Sequence, residues 1–383
     1  MDFDLSWLLL GLPITFVLGW FASRIDLRQL RFENRQAPKA YFKGLNYLLN
    51  EQQDQAIDAF IEAVQNDPDT SELHFALGNL FRRRGEYERA VRVHEHLLSR
   101  GDLSRTDRER AQHALALDFL KAGLLDRAEV ALQRLEGTPF EAEARMALLA
   151  IYERSSDWPQ AAAIADKMDR AAQGDFSIRQ AHYLCEQAAA QVAAGQTDEA
   201  CLLLEKAITT APAAARARIE LAALQQTAGD QAAAFQTLRQ IADAAPAAMP
   251  LAAARLAQTA TASGQVDTAL ALLDHSYDNA PSLDVLEAMV TLQEGSQGVQ
   301  AREAYVRHLE REPSLVAAAK WLAGERLEHE QFHPQVQRAL DHAVKPLTRY
   351  RCAACGFEAK QHFWQCPGCQ TWDSYPARRV EEL

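Results

Sequence analysis

The sequence predicts a mostly α-helical protein in three parts: an N-terminal transmembrane helix, a superhelix of repeated helix pairs, and a small metal-binding module. Three observations in the 383 residues support this fold class. An uncharged run lies near the start, small residues and prolines recur at a nearly constant interval, and two Cys-x2-Cys pairs lie near the end. Hydrophobic residues make up 48% of the chain, which is enough to bury a substantial core.

The N-terminus predicts a membrane anchor. Residues 5–22 form a continuous run without a charge, near the shortest length that crosses a bilayer as a helix. Trp7 and Trp20 lie near its two ends, where aromatic rings prefer the level of the lipid headgroups. A cleaved signal peptide would begin with positive charge, but two aspartates precede this run. We therefore expect residues 1–23 to be an uncleaved single-pass anchor that contacts membrane lipid through its uncharged run.

Basic residues flank the anchor on one side only. Asp26 and Glu33 are the acidic residues in segment 24–43, which also holds six basic residues: Arg24, Arg28, Arg31, Arg35, Lys39 and Lys43. An excess of Lys and Arg marks the cytoplasmic side of a span. We interpret residues 24–36 as a basic juxtamembrane linker and expect the bulk of the chain to be cytoplasmic.

Negative charge is concentrated in the middle of the chain. Residues 128–344 contain 17 Lys and Arg but 29 Asp and Glu, a difference of −12 that equals the net charge of the whole chain. A long concave surface there would be acidic and would repel a phosphate backbone. We therefore expect no nucleic acid among the partners.

The middle of the chain repeats itself. Gly44 precedes Gly78 by the same interval that separates Ala56 from Ala90, and further alanines take the same role at positions 128, 161, 200, 234, 269 and 301. Prolines that follow helices recur with nearly that spacing at positions 212, 246, 281 and 313. The pattern resembles the tetratricopeptide repeat, whose period is about 34 residues and whose unit is a pair of antiparallel helices.

We assign residues 37–345 to tetratricopeptide-like repeats, about eight units plus a final helical pair that stack into a superhelix with a concave wall. The alanine spacing stretches beyond the regular interval across 105–180, where we expect irregular helical pairs. A generic alanine-rich bundle is the alternative. On the usual repeat geometry, Asn79, Arg82 and Arg83 lie on an inner helix, where they either hold an acidic ligand or form a solvated charged face.

The end of the chain predicts a metal site. Gly356 follows the first cysteine pair and allows a positive φ, and Pro367 stiffens the second turn; the four ligands would be Cys352, Cys355, Cys366 and Cys369. Four thiolates close a tetrahedral site that suits one iron or zinc ion. We assign residues 346–383 to this module, which resembles rubredoxin and zinc-ribbon domains. A structural role is favoured, and one-electron redox chemistry or metal sensing stays open.

Several neighbouring residues are expected to support this module. Phe357, Phe363, Trp364, Trp372 and Tyr375 would form an aromatic shell around the metal. The positive side chains of Arg349, Arg351 and Lys360 would offset the negative charge of the loaded site. We expect the module to pack on the last repeats as a cap.

No motif in the sequence predicts an enzyme. His329 to His333 match HExxH, but Pro334 should push His333 out of the helix that the motif requires. Cys185 and Cys201 lie alone in alanine-rich helical pattern and are expected to be small buried apolar residues.

The order of these parts, most specifically the stretch from Cys352 to Trp372, resembles the lipopolysaccharide assembly protein B family of Gram-negative bacteria. That resemblance implies a bacterial inner-membrane adaptor for a membrane AAA+ protease. The adaptor would promote turnover of the deacetylase that commits precursor to lipid A. A lipopolysaccharide-sensing inner-membrane protein would relieve this action. A general assembly scaffold and a rubredoxin-type electron carrier are the alternatives, and the sequence leaves a homo-oligomer open.

Overall fold

The structure, a computed structural model, describes residues 15–17, 19–20, 40, 42–67, 69–294, 298–324 and 330–383, with the main chain alone at residues 66, 294, 298–302 and 330. The chain divides into two compact units, Met1–Ser156 and Asp157–Leu383. In both units the described residues are mainly α-helical.

The first unit is a series of helices in which each packs against the next, and α2 also contacts α4. Residues 42–49 are helical and precede this series. Its helices are α1 (Gln53–Asn66), α2 (Ser71–Arg84), α3 (Tyr87–Ser99), α4 (Arg105–Ala122), α5 (Leu125–Gln133) and α6 (Glu141–Ser155). Contacts between neighbours, and between first helices of successive pairs, are typical of stacked helical repeats.

The second unit continues the same construction and adds a small β module. Its helices are α7 (Trp158–Arg170), α8 (Ser177–Ala193), α9 (Thr197–Thr210), α10 (Arg216–Thr227), α11 (Gln231–Arg239), α12 (Ile241–Ala244), α13 (Met249–Ser263), α14 (Val266–Asn279), α15 (Leu283–Glu294), α16 (Gly298–Arg311), α17 (Leu315–Ala323) and α18 (His333–Val344). Two short antiparallel strands follow, β1 (Tyr350–Arg351) and β2 (Glu358–Ala359).

The small residues of the repeat pattern lie where helices approach most closely. A Cβ added to Gly78 would lie 2.5 Å from the ring of His94, and one added to Gly44 would lie 2.9 Å from the ring of Phe60. The alanines of the series are fully buried at positions 56, 90, 128, 161, 200, 234 and 269, and the side chain at 301 lies outside the described residues. The prediction of a mostly helical, tetratricopeptide-like fold is confirmed.

The recurring prolines lie just after helices. Pro212 follows α9, Pro246 opens a short 3-10 turn before α13, and Pro281 and Pro313 follow α14 and α16. Proline lacks the N–H that the next helical turn needs, so it marks the end of each pair. In the region with irregular spacing, α4 packs against α5 and α5 packs against α6, and α4 spans 18 residues.

The predicted membrane anchor falls mostly outside the described part of the chain. Most of residues 1–23, and all of the linker 24–36, belong to the residues that the structure does not describe. Among the residues that it does describe, no helix is both long and apolar enough to span a bilayer. The anchor therefore stays a prediction from the sequence.

Candidate metal centre

The first cysteine pair lies on a tight turn that begins where β1 ends. Cys352 N–H donates to Phe357 O at 2.9 Å, and Gly356 N–H donates to Cys352 O at 2.9 Å. Gly356 has φ +77°, a conformation that a residue with a Cβ rarely adopts. The glycine predicted to permit this turn therefore does so.

The second cysteine pair repeats the same turn with a different residue at the strained position. Cys366 N–H donates to Thr371 O at 3.0 Å, and Gln370 N–H donates to Cys366 O at 2.8 Å. Gln370 has φ +60°, so a side chain occupies the place that Gly356 fills in the first turn. The backbone of this second turn is under conformational strain.

Replacing Gln370 with Gly is expected to stabilise the module by about 0.5–1 kcal/mol, because glycine relieves the left-handed strain. Gly356→Ala is the matched control and should destabilise by about 1–2 kcal/mol through that same conformational cost. The stability of both variants is measured by urea unfolding of the metal-loaded protein, with the rate of metal release to a chelator as the readout. Equal release rates for the two variants would contradict the equivalence of the turns.

The two turns bring four sulfurs together. The Sγ atoms of the four predicted ligand cysteines lie within 4.8 Å of one another. Cys352 Sγ is 3.8 Å from Cys369 Sγ, and Cys355 Sγ is 3.7 Å from Cys366 Sγ. A regular tetrahedron with zinc–sulfur distances near 2.3 Å has edges of about 3.8 Å. The four thiols therefore fit a tetrathiolate metal site, and the donor set alone does not choose between zinc and iron.

The thiols influence one another's ionisation. Burial opposes ionisation of Cys352, but hydrogen bonds with Ser374 and with the N–H groups of Cys355 and Ala354 outweigh it and lower its pKa to about 6. The N–H of Phe357 lowers the pKa of Cys355, but burial and the neighbouring thiols together raise it to about 12. A thiolate at one position opposes ionisation at the next, and a bound cation removes that opposition.

The site has a buried side and an exposed side. Cys352 and Cys366 are each 1% exposed, while Cys355 and Cys369 are exposed. On the buried side the cysteines pack in a cluster with Tyr350, Tyr375, Phe363, Ala359 and Leu251 of α13. Of the predicted aromatic shell, Phe357 is 44% exposed and Trp364 packs against the repeat core instead.

The module contacts more of the repeats than a terminal cap would. Its last residues do meet α15 and α17, near the end of the repeats, where Glu382 and Glu381 accept hydrogen bonds. The second cysteine turn, however, packs on α8. The ring of His182 in α8 stacks on Trp372 with centroids 4.7 Å apart, and its Nε2 lies 2.9 Å from Asp373 Oδ2. The module thus reaches back to the first helices of the second unit.

Aromatic side chains surround this contact on α8. Trp158 at the start of α7 and Tyr183 in α8 each form a T-shaped contact with Trp372. Trp372 is 8% exposed, so the contact buries most of a large ring. Trp372, like Trp364, is therefore a member of the predicted aromatic shell that attaches the module to the repeats.

Two of the cations assigned to offset the charge of the site have another partner. Arg351 pairs with Glu358 at 2.7 Å, and Arg349 lies 3.8 Å from the other oxygen of the same carboxylate. Lys360 is exposed. Glu358 therefore neutralises part of the positive charge that was expected beside the cysteines.

Two of the three residues predicted to hold an acidic ligand, Asn79 and Arg82, already have hydrogen-bond partners within the first unit. Arg82 Nη1 donates to Asp118 Oδ1 at 2.9 Å and to Ala114 O at 3.1 Å, and its Nη2 donates to Asn79 Oδ1 at 2.5 Å. Asp118 is fully buried and also pairs with His94. Arg82 does bind an acidic side chain, but that side chain belongs to its own chain. Arg83 is exposed and lines a cavity of about 350 Å³ beside this network.

The remaining sequence motifs have structural explanations. His333 is the first residue of α18, Pro334 occupies the next position, and His333 Nε2 lies 3.2 Å from Leu322 O. His329 lies outside the described residues. Cys185 is 1% exposed, and burial raises the pKa of its thiol, as expected of an unreactive core cysteine. Cys201 is half-buried.

Sequence reasoning missed the residues of α8 that receive the module. His182 and Asp373 are 191 positions apart, and nothing local distinguishes His182 from other helical residues. Its burial to 2% and its place among aromatic side chains become evident only in three dimensions. Paired variation of the two positions among relatives is the signal that would identify such a contact.

Comparison with known proteins supports these assignments. Residues 350–375 match the family described as rubredoxin metal binding domain, and residues 73–109 match the tetratricopeptide repeat. Lipopolysaccharide assembly protein B of Escherichia coli strain K12 is 29% identical over 388 residues, covering 99% of this chain and 100% of the relative. The protein of that name from Haemophilus influenzae is 27% identical over 400 residues, covering 96% of each.

Among solved structures, a tetratricopeptide repeat protein from Parabacteroides merdae aligns with a TM-score of 0.33 and 15% identity, covering 67% of this chain and 98% of that one. The resemblance predicted from the order of the segments is confirmed by the curated relatives. The chain is similar to lipopolysaccharide assembly protein B over nearly its whole length.

Proposed function

We propose that this chain, similar to lipopolysaccharide assembly protein B across 99% of its length, is a non-enzymatic scaffold that restrains lipopolysaccharide synthesis. The observation that carries the proposal is the order of parts in this chain, tetratricopeptide-type repeats followed by a rubredoxin-type metal module, in a sequence that aligns with the relative over nearly its whole length. Stacked helical repeats present extended surfaces that bind proteins. The boundaries proposed are 1–23 for the anchor, 24–36 for the linker, 37–345 for the repeats and 346–383 for the module.

The mechanism we propose is recruitment within the membrane plane. The anchor holds the repeats on the cytoplasmic face of the inner membrane, beside a membrane AAA+ protease. The repeats then bring the lipid A-committing deacetylase to that protease. The effective concentration of the deacetylase at the protease rises, because the scaffold and the protease are confined to one surface. An inner-membrane protein that senses lipopolysaccharide relieves this recruitment when synthesis needs to rise.

In this proposal Cys352, Cys355, Cys366 and Cys369 bind one zinc or iron ion. When bound, the metal supplies a closed tetrahedral crosslink between the two turns, with no ligand position open for hydrolysis. Gly356 and Gln370 give the two turns their shape, and Trp372 packs the metal-loaded module against α8.

Complementation tests the proposal. In a Gram-negative strain that lacks its own lipopolysaccharide assembly protein B, the full chain should shorten the half-life of the deacetylase and lower the lipopolysaccharide content. A chain lacking residues 1–23 should fold, with an unchanged melting curve, but fail to rescue. Rescue by the truncated chain would show that the anchor is dispensable. An unchanged deacetylase half-life with the full chain would overturn the proposed function.

One observation favours a second candidate, an electron carrier. Cys355 and Cys369 are exposed, so a metal bound here would lie close to the surface. An electron carrier requires iron that cycles reversibly between two oxidation states. Metal analysis of the purified protein, followed by a redox titration monitored by absorbance, separates the two candidates, since zinc would exclude electron transfer at this site.

A further inference from the structure

The chain enters and leaves the metal module through two segments that bind each other. Val380 N–H donates to Arg349 O at 2.7 Å, and Arg379 Nη1 donates to Thr348 O at 2.8 Å. The guanidinium of Arg379 also lies 4.2 Å from the centre of the Tyr350 ring. We call these two segments, residues 347–350 and 379–382, the stem.

The stem is fastened to the start of α15. Arg379 forms a two-pronged ion pair with Asp284, with nitrogen–oxygen distances of 2.7 and 2.9 Å. Glu382 Oε1 accepts a hydrogen bond of 2.6 Å from the N–H of Leu283, the first residue of that helix. A carboxylate at a helix N-terminus satisfies a backbone donor that the helix itself leaves without a partner.

The stem is also fastened to the start of α17. Glu381 Oε1 accepts from Leu315 N–H at 2.6 Å and from Val316 N–H at 3.2 Å. Its Oε2 accepts from the hydroxyl of Ser314 at 2.8 Å. Two neighbouring carboxylates of one segment therefore cap two separate repeat helices, and each also gains from the helix dipole.

The contacts of the stem with α15 and α17 involve no cysteine, although Tyr350 of the stem also packs beside Cys352 and Cys366. The module's contact with α8 is different, because Trp372 and Asp373 come directly after the second cysteine turn. Cys366 N–H donates to Thr371 O, and Gln365 bridges to Trp372, so the shape of that turn sets where Trp372 lies. We call the contact of His182 with Trp372 and Asp373 the latch.

We propose that, of the contacts that hold the module on the repeats, the latch requires the metal and the stem does not. The proposal rests on the metal site proposed above. Loss of the metal lets the loop 352–375 leave His182, while the stem stays bound to α15 and α17. The result is a tethered, open module and an α8 surface bared at His182, rather than a detached tail.

Hydrogen exchange of the full chain, followed by mass spectrometry, tests this. The protein is compared as purified and after its metal is stripped by chelation under reducing conditions, with metal content measured in both samples. Peptides covering 366–375 and the His182 turn of α8 should lose protection on the order of 10- to 100-fold. Peptides covering the first turns of α15 and α17 should exchange as before. The Cys366→Ser variant repeats the comparison where stripping is incomplete.

A reciprocal variant weakens the stem and leaves the latch intact. Glu381→Ala combined with Glu382→Ala removes both caps and should cost the first turns of α15 and α17 roughly tenfold in protection or more, while 366–375 and the metal content stay unchanged. Arg378→Gln, at the position just before residues 379–382, is the control and should leave the latch and the stem as they are.

The outcomes that would contradict the metal site and the stem are distinguishable. A parent protein that binds no metal would overturn the metal site and this proposal with it. A metal-loaded parent in which the first turns of α15 and α17 open together with 366–375 on stripping would overturn the stem alone.

Discussion

Replacing Asp118 with Ala is expected to lower the free energy of unfolding of the first unit by about 3–5 kcal/mol. Asp118 is fully buried, accepts from Arg82 Nη1 at 2.9 Å and lies 2.5 Å from His94 Nδ1. Removing the carboxylate leaves a largely buried guanidinium and a buried imidazole without their shared partner. Such a loss costs more than the ion pair contributes, because a buried charge then stays uncompensated.

Urea unfolding of the purified chain, followed by helical circular dichroism, measures this loss. Glu95→Ala is the matched control: Glu95 is exposed on α3, directly after His94, and its removal should change stability by less than about 0.5 kcal/mol. Arg83→Ala should behave like the control, since Arg83 is exposed. A small effect of Asp118→Ala, equal to that of Glu95→Ala, would show that the network adds nothing to stability.

This network also determines how the hypothesis that Arg82 and Arg83 hold an acidic ligand is to be tested. A double reversal of Arg82 and Arg83 to Glu would place a carboxylate against Asp118, so unfolding would mask any effect on a partner. Of the two arginines, Arg83 is the one that lines the neighbouring cavity from an exposed position. Arg83→Glu alone is therefore the informative change for an acidic ligand.

The repeats were predictable because their causes are local. Helical pairs bury one residue at the same place in each unit, so Ala56 and Ala90, and later Ala200 and Ala234, recur with the period of the fold. The cysteine turns were predictable for a similar reason. Each needs its two sulfurs close together along the chain, and Gly356 reveals the positive φ that closes the first of them.

The contacts that could not be predicted join residues that are distant along the chain. From the sequence alone, Arg82 is predicted to be a ligand-binding cation on an inner helix. The structure shows instead that it binds Asp118, which is distant along the chain. Likewise, the module is predicted to be a cap on the last repeats alone, whereas the structure places Trp372 against His182. Periodicity carries no information on such pairs, because each partner alone obeys the pattern of its own helix or loop.

Cys366→Ser is expected to abolish metal binding and to unfold the loop 352–375. Two thiolates of the site lie in the first turn and two in the second, so the metal is the crosslink between them. For structural zinc sites that crosslink supplies on the order of 10 kcal/mol of folding free energy. The hydrophobic cluster of Tyr350, Tyr375 and Phe363 is too small to replace it.

Trypsin gives a direct measurement, because Lys360 is an exposed cleavage site inside that loop. In the variant, cleavage after Lys360 should become rapid, while the repeats resist, since their stability is largely local. Cys201→Ser is the control, a half-buried cysteine outside the site, and should keep both the metal and the resistance of Lys360. A Cys366→Ser protein that retains its metal and protects Lys360 as the parent does would remove this cysteine from the ligand set.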